Sequence, residues 1–164
     1  MSKKLTVLFA PIEAYGHVNP CIGIGQILQK RGHRIVFAIG ESWSGRLTKF
    51  GFEEELIVIP KDTDKSEDEL QSLLLKSGMI SPLSPLEKIK NSGISKSLYP
   101  KAVASDPIMK DIISRVKPDV IIIDQMFTMP SLMSSCPWVI SFPSNPLFPL
   151  NDERTPPPMS GILY

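Results

Sequence analysis

The stretch Leu5-Thr6-Val7-Leu8-Phe9-Ala10, continued by the loop Pro11 to Gly16 and then by His17-Val18-Asn19-Pro20, decides the fold. The first six residues are apolar and β-rich without strict alternation, the signature of a strand covered on both faces, as in a parallel sheet. Asn19 reads as an N-cap and Pro20 as the first helical residue, where its missing N–H costs nothing. Ile24, Ile27 and Leu28 then keep i, i+3, i+4 spacing, and Lys30-Arg31-Gly32 closes the helix with cations and a glycine. His17 is thereby expected in the loop just ahead of a helix N-terminus, whose positive field disfavours imidazolium. Gly23 and Gly25 each cost the helix about 0.5–1 kcal/mol against alanine, so they predict a close approach to the sheet or to a ligand.

Working outward, His33 to Gly40 reads as a second strand, and strand, helix and strand make a βαβ unit, right-handed almost without exception. Ser42 to Phe50 predicts a short helix ended by Gly51, and Leu56 to Pro60 a third strand. Lys61 to Glu69 is a charged surface segment leading into a helix through Leu70, Leu73 and Leu74. Pro82, Pro85, Gly93 and Pro100 break the pattern between Ser77 and Pro107, leaving a loop-rich stretch of the kind that carries specificity. Asp106-Pro107 restarts regular structure as N-cap and first helical residue, with Ile108, Ile112, Ile113 and Val116 on one face. Val120 to Ile123 is a buried strand terminated by Asp124, and Cys136 to Ser141 supplies one more. The expected fold is therefore α/β: an open, mostly parallel Rossmann-like sheet with helices on both faces. Residues 1–150 form that domain, incomplete at its C-terminal end, and 151–164, with Pro156-Pro157-Pro158, a proline-rich extended tail.

Composition narrows the function. The chain has 164 residues, 42% of them hydrophobic, enough for one globular core. Eighteen basic against seventeen acidic residues leave a charge of +1, with no electrostatic footprint for nucleic acid or an anionic membrane. Cys21 and Cys136 are too few for a disulfide framework and favour a reducing compartment, read as cytoplasmic. Leu5 to Ala10 is too short for a secretory signal, and no window reaches the roughly 20 apolar residues of a membrane span. Gly23-Ile24-Gly25 lacks the third glycine of a dinucleotide fingerprint and lies inside the helix. There is no Gly-Lys-Ser phosphate loop, no Cys/His cluster with zinc spacing and no Gly-x-Ser-x-Gly elbow. No metal site and no bound cofactor are expected.

A histidine after the first strand and a carboxylate ending a later one remain, and both point to the crevice beyond the carboxyl ends of the strands. A neutral His17 has the form a general base needs, and Asp124 on its far nitrogen would fix the tautomer. On pattern alone the alternative stands beside it: His17 as a structural hydrogen-bonding residue and Asp124 as the cap of the next turn. His33, between Arg31 and Arg34, reads as a turn histidine.

Tyr15-Gly16-His17-Val18-Asn19-Pro20, Pro118-Asp119-Val120-Ile121-Ile122-Ile123-Asp124 and Trp138-Val139-Ile140-Ser141 together resemble the N-terminal domain of the UDP-glycosyltransferases, a family of two facing Rossmann-like domains termed GT-B. The resemblance implies that this domain holds a small lipophilic acceptor while a C-terminal domain holds the UDP-sugar. His17 would deprotonate an acceptor hydroxyl, Asp124 would orient it, and a hexose would transfer with inversion. Tyr15, Gly16, Met126 and Phe127 are the expected acceptor contacts. The family's glycine- and histidine-rich donor signature is absent, so the chain is expected to be a fragment, inactive alone, without a membrane segment and needing UDP-sugar as co-substrate through another domain. A non-catalytic small-molecule-binding module or subunit, paired with a separate donor-binding chain, is the other expectation.

Overall fold

A computed structural model of the chain describes residues 3–59 and 94–143. Five strands form one sheet: β1 (Thr6–Ala10), β2 (Arg34–Gly40), β3 (Glu53–Ile57), β4 (Val120–Asp124) and β5 (Trp138–Ser141). Their order is β3-β2-β1-β4-β5, and every pairing is parallel. The helices are α1 (Tyr15–Lys30), α2 (Ile94–Val116) and α3 (Pro130–Ser134), with single 3₁₀ turns at Glu41–Trp43 and Thr48–Phe50.

Strand periodicity divides the core in two, because successive side chains leave opposite faces. Val7 and Phe9 of β1 join Ile35, Phe37 and Ile39 of β2 beneath Val18 and Cys21 of α1. Leu8 and Ala10 join Val36, Ala38, Ile121 and Ile123 beneath Met109, Ile112 and Val116 of α2 and Leu132 of α3. The central strands are therefore covered on both sides, which is why they read as continuous apolar runs. Phe9 and Phe37, paired in register, stack with ring centroids 4.8 Å apart.

Several boundaries depart from the sequence expectation. Helix α1 begins four residues before Asn19: Ala14 is the N-cap, and its carbonyl accepts the N–H groups of both His17 and Val18 at 2.9 Å. The first turn is thus closed ahead of Pro20, which lies inside the helix. Its buried face is Val18, Cys21 and Gly25 with Ile22 and Leu28 half-buried, while Ile24 and Ile27 are exposed. Gly25 sets that face, since a β-carbon there would come 3.1 Å from Phe52 and 3.4 Å from Ile35; at Gly23 it would meet nothing. Close approach is the reason for one glycine and not the other.

Ser42 to Phe50 forms two 3₁₀ turns rather than a helix, because Glu54 takes the N–H groups of Gly45, Leu47 and Thr48 at 2.7, 2.6 and 3.1 Å. Strand β3 starts at Glu53, three residues before the expected Leu56. Three consecutive glutamates disguise it, and each has its own partner: Glu53 on Arg34, Glu54 on the 3₁₀ loop, Glu55 on Arg115 at 2.9 Å. Helix α2 runs unbroken through Pro100 and Pro107. Asp106, expected as its N-cap, instead accepts the Ser131 N–H at 3.0 Å and so caps the start of α3. Strand β5 begins at Trp138 rather than Cys136. The charged segment from Lys61, the helix through Leu74, most of the Ser77 to Pro107 loops and the tail 151–164 lie outside the described residues.

Arg34 grips Glu53 through Nε and Nη2, at 2.8 and 2.6 Å, and its Nη1 reaches the Val116 carbonyl at the end of α2. That guanidinium, chiefly by hydrogen bonding, holds the Glu53 carboxyl below the usual carboxylate range. A depressed folded-state pKa contributes stability above the unfolded value and loses it as pH falls through the folded one. Both groups are well exposed, so the gain is about a few tenths of a kcal/mol. In Arg34→Met, an NMR titration should show the Glu53 midpoint moving upward; an unmoved midpoint would refute the pairing. In urea, Gly23→Ala should stabilise by about 0.5–1 kcal/mol through helix propensity, and Gly25→Leu should destabilise by about 1–3 kcal/mol through overpacking.

Candidate active site at the switch point of the sheet

After β1 the chain builds β2 and β3 on one side, then crosses to place β4 and β5 on the other. The carboxyl ends of β1 and β4 are therefore adjacent where the strand order reverses, the position at which open α/β sheets form a ligand crevice. In register, Ala10 pairs with Ile123, so Asp124 ends β4 one residue beyond the last residue of β1.

His17 occupies the first turn of α1, rather than the loop before it, and its Nδ1 lies 2.7 Å from Asp124 Oδ2. The Asp124 side chain is 1% exposed and that of His17 20%, so the pair is sealed on the aspartate side and open on the histidine side. Asp124 Oδ1 accepts the Met126 N–H at 2.9 Å, and Oδ2 also accepts the Ile12 N–H at 3.4 Å. One carboxylate thus ties together the loop after β1, the turn after β4 and the first turn of α1. A carboxylate only accepts hydrogen bonds, so Nδ1 of His17 donates in this contact, and a ring with a single proton keeps its lone pair on Nε2.

The other expected contacts divide. Tyr15 is 60% exposed, its ring 5.0 Å from that of Trp43 and its hydroxyl accepting from Arg46 Nη1 at 2.8 Å. Gly16 lies beside His17 in the same turn, with open space where a side chain would be. Met126 is exposed beyond Asp124. Phe127 packs in part against the α2 side of the core. His33 accepts the Leu5 N–H on Nδ1 at 3.1 Å, a turn contact at the opposite end of β1.

Sequence reasoning did not single out Ile12, whose contribution is a backbone N–H, nor Glu13, Ser42 and Arg46 at the same rim. Ile12 meets Asp124 across 112 residues, Glu13 meets Ser42 across 29 and Arg46 meets Tyr15 across 31, so no local pattern announces them. Cys21 is one helical turn beyond His17. Its thiol is pushed up to about 11, mainly by burial and further by the Asp124 charge, with a Ser141 hydrogen bond acting the other way. It is a neutral packing group at neutral pH. Among the described residues no group of three His, Cys, Asp or Glu could hold a metal ion, and no helix is long and apolar enough to cross a membrane.

An all-parallel sheet in this order, with helices on both faces, is the fold of the N-terminal half of the GT-B glycosyltransferases. The crystal structure of the glycotransferase of kitacinnamycin superposes with a TM-score of 0.58 over 85% of this chain and 30% of its own, at 16% identity. Arabidopsis thaliana UGT89C1 complexed with quercetin gives 0.52 over 76% of this chain and 30% of its own, at 19% identity. In sequence, the chain is 27% identical over 112 residues to demethyllactenocin mycarosyltransferase of Streptomyces fradiae, covering 62% of this chain and 24% of that protein. The chain thus spans about a quarter to a third of the length of the proteins it resembles. No protein-family profile matches it.

Long-range nitrogen–proton NMR of the singly protonated His17 ring should show the Nδ1–H tautomer, and Asp124→Asn should bring out the Nε2–H form. Asp124→Ala leaves buried donors unpaired and should cost about 2–4 kcal/mol in urea unfolding. A wild-type ring protonated on Nε2 would show that the contact does not set the tautomer.

Proposed function

We propose that this chain is the acceptor-binding part of a UDP-sugar-dependent glycosyltransferase that transfers a hexose to a hydroxyl of a small lipophilic acceptor. The observation that carries the reading is the 2.7 Å contact between His17 and a buried Asp124 at the switch point of the sheet. The fold of the solved glycosyltransferases and the sequence likeness to a mycarosyltransferase support it, as does the quercetin bound to the Arabidopsis protein.

In this mechanism the acceptor hydroxyl donates its proton to His17 Nε2. Asp124 stays ionised, holds the ring by Nδ1 and stabilises the imidazolium that forms. The deprotonated oxygen attacks the anomeric carbon of the sugar. A new C–O bond forms on one face as the bond to UDP breaks on the other, so configuration inverts and UDP departs with the electron pair. The nucleotide sugar is a substrate held by a donor domain outside this chain, and neither metal nor resident cofactor takes part in the proton transfer. Tyr15, Gly16 and Met126 stand at the mouth of the crevice as acceptor contacts, with Phe127 at its margin. Two free thiols suit a reducing, cytoplasmic setting.

The test uses the complete protein, incubated with UDP-hexoses and a panel of phenols, with glycoside formation followed by mass spectrometry. His17→Ala should lower kcat by about 10²–10⁴, the range of a lost general base. Turnover that survives the substitution would remove His17 from the mechanism. Phenol binding without any glycoside under all donors would favour a non-catalytic binding module.

A further inference from the structure

Glu13 lies in the turn between β1 and α1, and Tyr15 opens α1 just ahead of His17. The Glu13 carboxylate rests over the α-carbon of Gly40 at the carboxyl end of β2: a β-carbon built on Gly40 would run into all three carboxylate atoms. Gly40 has φ −72° and ψ 166°, a conformation open to any residue, so its backbone does not require glycine. The missing side chain instead leaves the room that the carboxylate fills. Ser42 Oγ donates to Glu13 Oε2 at 2.7 Å and fixes that oxygen. Among the described residues, Oε1 accepts no hydrogen bond and no cation pairs with the group. Arg46, a cation at this rim, is committed to the Tyr15 hydroxyl and to the Trp43 ring, 5.3 Å from its centroid. The Tyr15 ring, backed by Trp43, presents the rest of its surface to solvent.

We propose that Glu13 and Tyr15 form a cation subsite of the crevice, taking a protonated amine that the acceptor carries near the hydroxyl presented to His17. This rests on the reading of the crevice as an acceptor site. A seated carboxylate with no counter-ion among the described residues is costly to desolvate when a neutral ligand covers it. An ammonium group offers it a charge-assisted hydrogen bond and offers the electron-rich Tyr15 face a cation–π contact.

The experiment compares two phenols of nearly equal shape, N,N-dimethyltyramine and 4-(3-methylbutyl)phenol, titrated into the complete protein by calorimetry. The amine should bind at least about tenfold more tightly, the scale of one ion pair plus one partly desolvated cation–π contact. Glu13→Gln should bring the ratio of the two dissociation constants to within about twofold. Gly40→Ala displaces the carboxylate without altering net charge, so it should lower the ratio as well, separating a local contact from a general charge effect. Equal binding of the two phenols by the unaltered protein would overturn the cation subsite alone, and so would a ratio unmoved by both substitutions. Failure of both phenols to bind would overturn the acceptor reading and this inference with it.

Discussion

The switch point of the sheet depends on one buried carboxylate. Asp124 ends β4, and its two oxygens accept from the loop after β1, the turn after β4 and the first turn of α1. Each of those segments is irregular or terminal, and each would otherwise leave a polar group unpaired near the core, a penalty of about 1–3 kcal/mol per group. The carboxylate therefore supports the local fold whether or not chemistry occurs there. That same support holds the His17 ring by Nδ1 and leaves Nε2 without a hydrogen-bond partner among the described residues.

Parallel pairing makes this arrangement possible. Because β1 and β4 run in one direction with a one-step offset, two residues more than a hundred positions apart end on the same side of the sheet. Helix α1 approaches the sheet closely at Gly25, and its first turn meets the end of β4 through His17.

Much of this was legible in the sequence. Continuous apolar runs at Leu5 to Ala10 and Val120 to Ile123 report a sheet covered on both faces, and the carboxylate at the end of the second run marks the crevice. What was not legible came from partners distant in sequence. Glu53, Glu54 and Glu55 hide β3 because their charges are answered by Arg34, by three backbone amides and by Arg115, none of them a neighbour in the pattern. Pro20, Pro100 and Pro107 suggest helix starts or breaks but lie inside helices. The start of α1 is silent in the sequence because Ala14 caps it through its carbonyl alone, without the polar side chain that marks a helix start. Glu13 was passed over because its seat is an absence, the side chain that Gly40 lacks.

Cys21 gives the molecule a property of a different kind. Its thiol is buried between α1 and the carboxyl ends of the strands, close enough to Asp124 and Ser141 for both to act on its ionisation. Burial and a raised pKa together suppress its reaction with electrophiles while α1 stays seated. Labelling of Cys21 by a small thiol reagent therefore keeps time for the lifting of α1 from the sheet, a local opening distinct from global unfolding. Cys136, half-buried beside the start of β5, supplies an internal reference clock on the other side of the sheet.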